Sequence, residues 1–169
     1  MNALLSFFIF FFIAASFTRW VLTRMNVSHL RRFGHEVPAV FRNELDETTL
    51  SRMTDYTIES SRLGSLESLF NDGILLAVLL SGVLSWLAAV VASLHVHMIL
   101  SGLLFFAALF LAGTVLDIPF DLYSTFGIEK KYGFSTMTPG LWTSDFVKNL
   151  LISTVLMGFL LAPDRKSVV

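Results

Sequence analysis

The sequence predicts an all-α polytopic membrane protein, with about four transmembrane helices and one amphipathic cytoplasmic helix. Hydrophobic residues make up 54% of the 169 residues, and the mean hydropathy is +0.71. Soluble domains contain about 45–50% apolar residues, which alternate with polar ones, whereas here they form long blocks. Charged residues are concentrated in two segments, 19–69 and 117–145. The net charge of −1 gives no sign of a nucleic-acid partner, and without cysteine the chain has no disulfide or thiolate zinc site.

The first apolar run predicts a membrane span near the N-terminus. It covers Ala3 to Phe17 and reaches Leu22 if the Arg19 side chain extends toward the interface. About 20 residues of helix cross the hydrocarbon core, so this run is long enough. A cleaved signal peptide is disfavoured because no Lys or Arg precedes the run and several arginines follow it.

The segment 19–69 predicts an aqueous region that contains an amphipathic helix. Gly34 and Pro38 are expected to interrupt any helix early in this segment, and Asp46 stands where a helix N-cap is expected. From Leu50 to Phe70 the apolar residues recur at helical spacing. We therefore expect this helix to lead directly into the second span.

Three further apolar runs complete the predicted membrane domain. They are Ile74–Leu94, Met98–Leu116 and Phe146–Ala162. The segment 19–69 contains seven arginines and 117–145 contains Lys130 and Lys131, whereas the 93–97 connection has neither Lys nor Arg. The positive-inside rule therefore predicts that segments 19–69 and 117–145 are cytoplasmic.

Two histidine patterns resemble metal sites without satisfying their requirements. The stretch that begins His35-Glu36 starts like the zinc-protease motif HExxH, but Ala39 replaces the second histidine and Pro38 is incompatible with the required helix. His95 and His97 have no carboxylate near in sequence, so an interfacial turn is the favoured interpretation. No metal or catalytic residue is assigned in this chain.

Two carboxylates at the end of the third span are candidates for function or for structural pairing. Asp117 and Asp121 flank Pro119, and intramembrane carboxylates are often functional. At a membrane boundary we favour structural pairing over direct chemistry. Glu129 could pair with an arginine of segment 19–69. The glycines of this region do not have phosphate-loop spacing, and we expect them to allow tight turns.

Several motifs in order resemble one known family. They are Asp117-Ile-Pro-Phe-Asp-Leu-Tyr123, Phe126-Gly-Ile-Glu129, Tyr132-Gly-Phe-Ser135 and the earlier His29-Leu-Arg-Arg-Phe-Gly-His-Glu-Val-Pro38. Together they resemble the N-terminal membrane domain of the CAAX prenyl protease 1 family, which are integral-membrane zinc metalloproteases. The resemblance covers nearly the whole chain, to about Ala162.

The resemblance implies a larger enzyme of which this chain would be one part. Family members continue into further membrane helices and a metallopeptidase domain with HExxH, where zinc activates the water that attacks the peptide. In eukaryotic members the substrate is a prenylated C-terminal CAAX segment. This sequence lacks HExxH, so we expect it to be inactive alone. The matching residues imply a scaffold role for Asp117, Pro119, Tyr123, Glu129, Gly133 and Phe134.

Two functions therefore remain open. The first is the membrane scaffold of such a protease, with the bilayer, the missing catalytic domain and a prenylated peptide as partners. The second is a stand-alone, non-enzymatic membrane module that binds a hydrophobic segment or a protease partner. A small transporter is a weaker third, because no inverted repeat is present. We expect a bacterial inner membrane as the location.

The final residues suggest a boundary at 163. One reading frame of a common sequencing adapter encodes Asp-Arg-Lys-Ser-Val-Val and then a stop codon, which matches Asp164–Val169. We therefore expect a native membrane domain over 1–163 and a non-native tail over 164–169. A genuine charged tail after a last helix is the alternative. A domain without its partner helices would expose apolar surface and self-associate.

Overall fold

The computed structural model describes residues 3–36 and 46–161, and within this range the chain is helical with no strand. The helices are α1 (Ala3–Phe33), α2 (Glu47–Leu80), α3 (Val83–Ser93), α4 (Met98–Leu122), a π-helix (Tyr123–Glu129), α5 (Lys130–Tyr132) and α6 (Pro139–Leu161). The predicted all-α class is confirmed. Pro38, Ala39 and the predicted tail 164–169 lie outside the described residues.

Three helices of the described chain are long and apolar enough to cross a membrane. They are Ala3–Phe33, Glu47–Leu80 and the continuous helix Met98–Tyr132, and Val83–Ser93 is a shorter apolar helix. The described part of the predicted fourth run, 146–161, lies within α6, which begins earlier, at Pro139. The multi-pass membrane architecture is thus confirmed.

The second predicted run is not one helix. Ile74–Leu94 breaks at Ser81–Gly82, so that α2 ends at Leu80 and α3 begins at Val83. Gly82 has a φ of 77°, a left-handed conformation that a residue with a Cβ adopts only at a cost. Apolar periodicity alone does not show such a break, because the flanking residues are apolar on both sides.

The segment predicted to be aqueous is largely helical. α1 continues past Leu22 to Phe33, so it extends well beyond its apolar run. The predicted start of α2 is confirmed: the amide of Leu50 donates to the carbonyl of Asp46, and the Thr48 hydroxyl donates to the Asp46 carboxylate. α2 then runs without interruption from the polar segment into the apolar one, as expected.

The helix after α4 changes its hydrogen-bond pattern. Pro119 lies inside α4, and the next segment, Tyr123–Glu129, is a π-helix. Proline lacks an amide hydrogen, and such bulges occur where the i→i−4 ladder is disturbed. The helix ends at Tyr132 and is followed by Gly133, with a φ of 75°. The Phe134 amide donates to the Glu129 carbonyl at 2.8 Å and the Gly133 amide to the Lys130 carbonyl at 3.2 Å, which is a Schellman motif.

The chain divides into two compact units. Unit 1 comprises Met1–Ala77 and Phe120–Thr136, and unit 2 comprises Val78–Pro119 and Met137–Val169. Among the described residues, Val91 supplies the buried side chain of unit 2. The buried side chains of unit 1 are Val27, Thr54, Ile58, Thr125 and Ile128.

Candidate functional site

Glu59 joins two segments that are far apart in the sequence. Its Oε2 accepts hydrogen bonds from Lys131 Nζ and Tyr132 Oη, each at 2.8 Å. Glu59 lies on the polar half of α2, and its two donors come directly after the π-helix. We call Glu59, Lys131, Tyr132, Tyr56 and Phe134 the Glu59 junction. It fixes the end of the motif-rich segment against α2.

The electrostatics of the Glu59 junction favour the ion pair. The side chains of Glu59, Lys131 and Tyr132 lie outside the apolar runs that are predicted to cross the membrane. Hydrogen bonds from Lys131 and then Tyr132 lower the pKa of Glu59. The same bonds raise the pKa of Lys131 and of Tyr132, because each donates to the carboxylate. At neutral pH the junction therefore holds a carboxylate, an ammonium and a neutral phenol.

Aromatic rings surround this ion pair. The ring of Tyr56 meets that of Tyr132 with centroids 5.9 Å apart and that of Phe134 at 4.7 Å, both edge-on. The Arg52 guanidinium lies 5.8 Å from the centre of the Phe134 ring. Edge-on pairs and cation–π contacts each add to the energy of area burial. The left-handed Gly133 directs Phe134 into this cluster.

The contact between the end of α1 and the start of α2 is close. The Thr54 hydroxyl donates to the Gly34 carbonyl at 2.6 Å, and Thr54 is only 5% exposed. A Cβ at Gly34 would lie 2.6 Å from Thr54 Cγ2, which is too close for any side chain.

Ile128 of the π-helix, at 1% exposed, is the most buried side chain among the described residues.

A second polar contact joins α1 and α2 near the start of the apolar part of α2. Arg19 donates to both carboxylate oxygens of Asp72, at 3.0 and 3.2 Å, and the Ser16 hydroxyl also donates to Asp72. A partly buried charge is tolerated when it is paired and hydrogen-bonded. Arg19, whose extension toward the interface stays a prediction, contacts a neighbouring helix through Asp72.

The structure places the six predicted scaffold residues along one stretch of chain. Asp117 and Pro119 lie in α4, Tyr123 and Glu129 are the first and last residues of the π-helix, and Gly133 is the left-handed C-cap of α5. Phe134 lies in the Glu59 junction. Their scaffold role stays a prediction.

The expected ion pair between the two polar segments exists with different residues. Glu59–Lys131 is an ion pair that joins these segments, and Glu129 is in none of the ion pairs described for residues 3–36 and 46–161. The predicted pair of Glu129 with an arginine is thus not found in that part of the chain. Sequence reasoning did not assign Glu59 or Tyr132 to a site, although Tyr132 begins one of the motifs that carry the family resemblance. The sequence feature that could have indicated the Glu59 junction is the spacing of Tyr56 and Glu59, which lie three residues apart on α2 and therefore on one helical face.

The histidines have local structural roles. His35 Nδ1 lies 3.2 Å from Ser51 Oγ and its Nε2 lies 3.8 Å from Asp55 Oδ1. This resembles a catalytic triad in composition, but 3.8 Å is too long for a hydrogen bond and the groups are exposed. His95 adopts a φ of 51° in the connection between α3 and α4, where its ring contacts the Ser93 carbonyl. Near the start of α4, the His97 ring accepts from the Ile99 amide.

The comparison with protein families identifies the family of this chain. Residues 26–163 match the model of the CAAX prenyl protease N-terminal family, described as having five membrane helices. This chain belongs to the CAAX prenyl protease N-terminal family. The predicted resemblance is confirmed. The three candidate spans, the shorter α3 and α6 together give the described chain five substantial helices.

Individual relatives agree with this assignment. The chain is 31% identical over 119 residues to a CAAX prenyl protease 1 homolog of Caenorhabditis elegans, covering 70% of this chain and 26% of that protein. It is 26% identical over 133 residues to CAAX prenyl protease 1 of Saccharomyces cerevisiae, covering 73% and 29%. The crystal structure of S. mikatae Ste24p has a TM-score of 0.79 and 24% identity, covering 89% of this chain and 36% of that one.

The chain therefore spans less than a third of the length of the nematode and S. cerevisiae relatives. The relatives also bear on the expected location. They come from a nematode and yeasts, which are eukaryotes, so the expectation of a bacterial inner membrane is not supported.

Proposed function

We propose that this chain is the membrane scaffold of a CAAX prenyl protease-like zinc metalloendopeptidase, and that it acts only when joined to a catalytic domain. The observation that carries the proposal is the Glu59 junction. It ties the motif-bearing segment after α4 to α2 through a carboxylate with two donors. A segment fixed in this way is suited to form part of the wall of a larger chamber.

The catalytic chemistry would come from the remainder of such an enzyme. In the part of the chain that the structure describes, no group of three or more His, Cys, Asp or Glu side chains is placed to hold a metal ion. The zinc that the family implies therefore does not fit these residues, and we derive no catalytic step from them. Their contribution would be to position a prenylated or other membrane-associated substrate and to exclude water from it.

We also propose that segments 19–69 and 117–145 face the cytoplasm. The direct ion pair between Glu59 and Lys131 supports placing both segments on the same side of the membrane. The abundance of arginine in the first segment supports the cytoplasmic side. Because α6 leads away from that side, a catalytic domain that acts on substrates at the cytoplasmic surface would follow at least one further membrane helix.

A graft tests this proposal. Residues 1–163 would replace the corresponding N-terminal domain of the S. cerevisiae relative, and cleavage of a farnesylated CAAX peptide by the membrane-embedded chimera would be measured. We expect clear cleavage above that of the same chimera with its HExxH glutamate replaced by glutamine. The variant Glu59→Ala should lower cleavage, whereas Lys130→Ala should not, because Lys130 is an exposed neighbour of Lys131 and is in none of the ion pairs of residues 3–36 and 46–161.

An expressed, folded chimera without cleavage would contradict the scaffold proposal. The alternative, a stand-alone module that binds a hydrophobic segment or a separate protease, would then become the better interpretation.

We further propose that 164–169 is non-native, in line with its match to an adapter sequence. Sequencing the source DNA past the codon of Pro163 tests this, and a natural reading of the same six codons in the genome would refute it.

A further inference from the structure

A groove of about 590 Å³ lies between α1 and α2, within unit 1. The residues of its lining that matter here are Trp20, Arg24, Arg31, Arg62, Leu66 and Leu69. Trp20 follows Arg19, the residue that is paired with Asp72, so the groove begins where the first apolar run ends. Its volume is in the range of ligand-binding clefts.

The charge of this groove is one-sided. Three guanidinium groups line it, and none of its lining residues is acidic. Among residues 3–36 and 46–161, the ion pairs do not include Arg24, Arg31 or Arg62. Like charges gathered in this way repel one another, and the repulsion is relieved by an anion. The planar guanidinium matches the geometry of phosphate oxygens, with two parallel hydrogen bonds.

The groove also has an apolar side. Leu66 is 62% and Leu69 is 44% exposed, and both belong to the stretch of α2 that leads into its apolar run. The Arg24 guanidinium lies over the Trp20 ring, 4.8 Å from the ring centre. Tryptophan at this position is typical of the membrane interface, where an apolar ring and a polar edge are both solvated. A small soluble anion would use the arginines but would leave the leucines and the tryptophan uncovered.

We infer that this groove binds one anionic phospholipid of the surrounding leaflet. The headgroup phosphate would lie among Arg24, Arg31 and Arg62, and the upper part of an acyl chain would cover Leu66 and Leu69. Basic pockets at the polar ends of membrane helices bind anionic headgroups through this combination of charge and apolar surface. The inference does not depend on proteolytic activity, and its test requires no catalytic domain.

The experiment uses the full chain with Trp86→Phe and Trp142→Phe, so that Trp20 is the remaining tryptophan. It is reconstituted in phosphatidylcholine bilayers that contain a minor fraction of either brominated phosphatidylserine or brominated phosphatidylcholine. We expect the brominated phosphatidylserine to quench Trp20 more strongly, with a selectivity of at least about tenfold in association constant.

Two pairs of exposed arginines provide matched variants. On α1, Arg31→Gln should reduce this selectivity about fivefold, whereas its neighbour Arg32→Gln should leave it nearly unchanged. On α2, Arg62→Gln should reduce it similarly and Arg52→Gln should not. Circular dichroism checks helical content for each variant. Because the two test residues lie on different helices, failure of one variant to fold still leaves the other.

Three outcomes would overturn the inference. The first is equal quenching by the two brominated lipids. The second is selectivity that survives both Arg31→Gln and Arg62→Gln. The third is loss of selectivity when inorganic phosphate, or a peptide with a free C-terminal carboxylate, is added at low millimolar concentration, because the groove would then be a site for that soluble anion or peptide.

Discussion

The two units of this membrane domain differ in the polar contacts that are described for their helices. In unit 1, helices meet through polar groups: Arg19 with Asp72, Thr54 with the Gly34 carbonyl, and Glu59 with Lys131 and Tyr132. In unit 2, hydrogen bonds such as those from Ser93 to Val90 and from Thr143 to Pro139 stay within one helix. Polar contacts are directional and specify a position, whereas apolar contacts in lipid do so weakly.

The difference extends to exposure. Unit 1 contains every buried side chain of the described residues except Val91. On α6 of unit 2, Leu151, Ile152 and Val155 are each more than half exposed. A bilayer solvates such surface, and helices of a larger protein would also cover it. Unit 1 therefore contains most of the described core, while both units offer apolar surface for lipid or for further helices, since Leu4 (77% exposed) and Phe10 (67%) on α1 belong to unit 1.

The largest expected effect is loss of the most buried side chain. Ile128→Ala should destabilise the domain by about 2–4 kcal/mol, because Ile128 is 1% exposed and a cavity would remain. Val155→Ala, at a 56% exposed position on α6, is the matched control and should change little. Gel filtration of the detergent-solubilised protein after stepwise heating measures both. Equal losses would remove the distinction between the units.

The two left-handed glycines give a matched pair across the units. Gly82→Ala and Gly133→Ala both force a residue with a Cβ into a φ near 75°, at a cost of about 1–2 kcal/mol. Gly133→Ala should cost more, since the Schellman motif also directs Phe134 against Tyr56. The same heating assay compares them. A larger effect of Gly82→Ala would show that the break between α2 and α3 matters more than the Glu59 junction.

Removal of one hydrogen bond at the Glu59 junction should have a smaller effect. Tyr132→Phe keeps the ring against Tyr56 but removes the donor to Glu59, which should cost about 1 kcal/mol. Tyr123→Phe changes an exposed phenol and serves as the control. Hydrogen exchange of the amides of residues 128–134 should rise in Tyr132→Phe alone. Unchanged exchange would mean that the ring, and not the hydroxyl, holds this segment.

The smallest expected effect is a dependence on pH. Because the folded protein lowers the pKa of Glu59, its contribution to stability is present above the unfolded pKa of about 4.3 and is lost as the pH falls through the folded value. Wild-type protein should therefore lose more stability between neutral and acidic pH than Glu59→Gln, which cannot titrate there. Parallel pH profiles of the two proteins would contradict this.

Much of the fold followed from the sequence because lipid leaves few solutions for a long apolar run. The span beginning at Met98 was correct for this reason, and the start of α2 after Asp46 was correct because a carboxylate at the N-cap position favours a helix start. The break at Ser81–Gly82 was missed, since a single glycine within an apolar run is also compatible with a helix. The partner of Lys131 was missed as well, because a pairing over 72 residues depends on how α2 packs and not on local spacing.

The π-helix sets the rotational phase of the residues after it. An α-helix advances about 100° per residue, so the seven residues Tyr123–Glu129 do not turn the chain as far as they would in an α-helix. Lys131 and Tyr132 come directly after this change of phase, and both face Glu59. If all seven residues were α-helical, the chain would turn further by roughly the rotation of one residue and both donors would turn away from the carboxylate, whereas deletion of one residue within 123–129 would let the segment relax to an ordinary helix with nearly the same phase. The π-helix thus sets the rotation of the chain so that Lys131 and Tyr132 face Glu59 of α2, a helix that this segment contacts only in the folded protein.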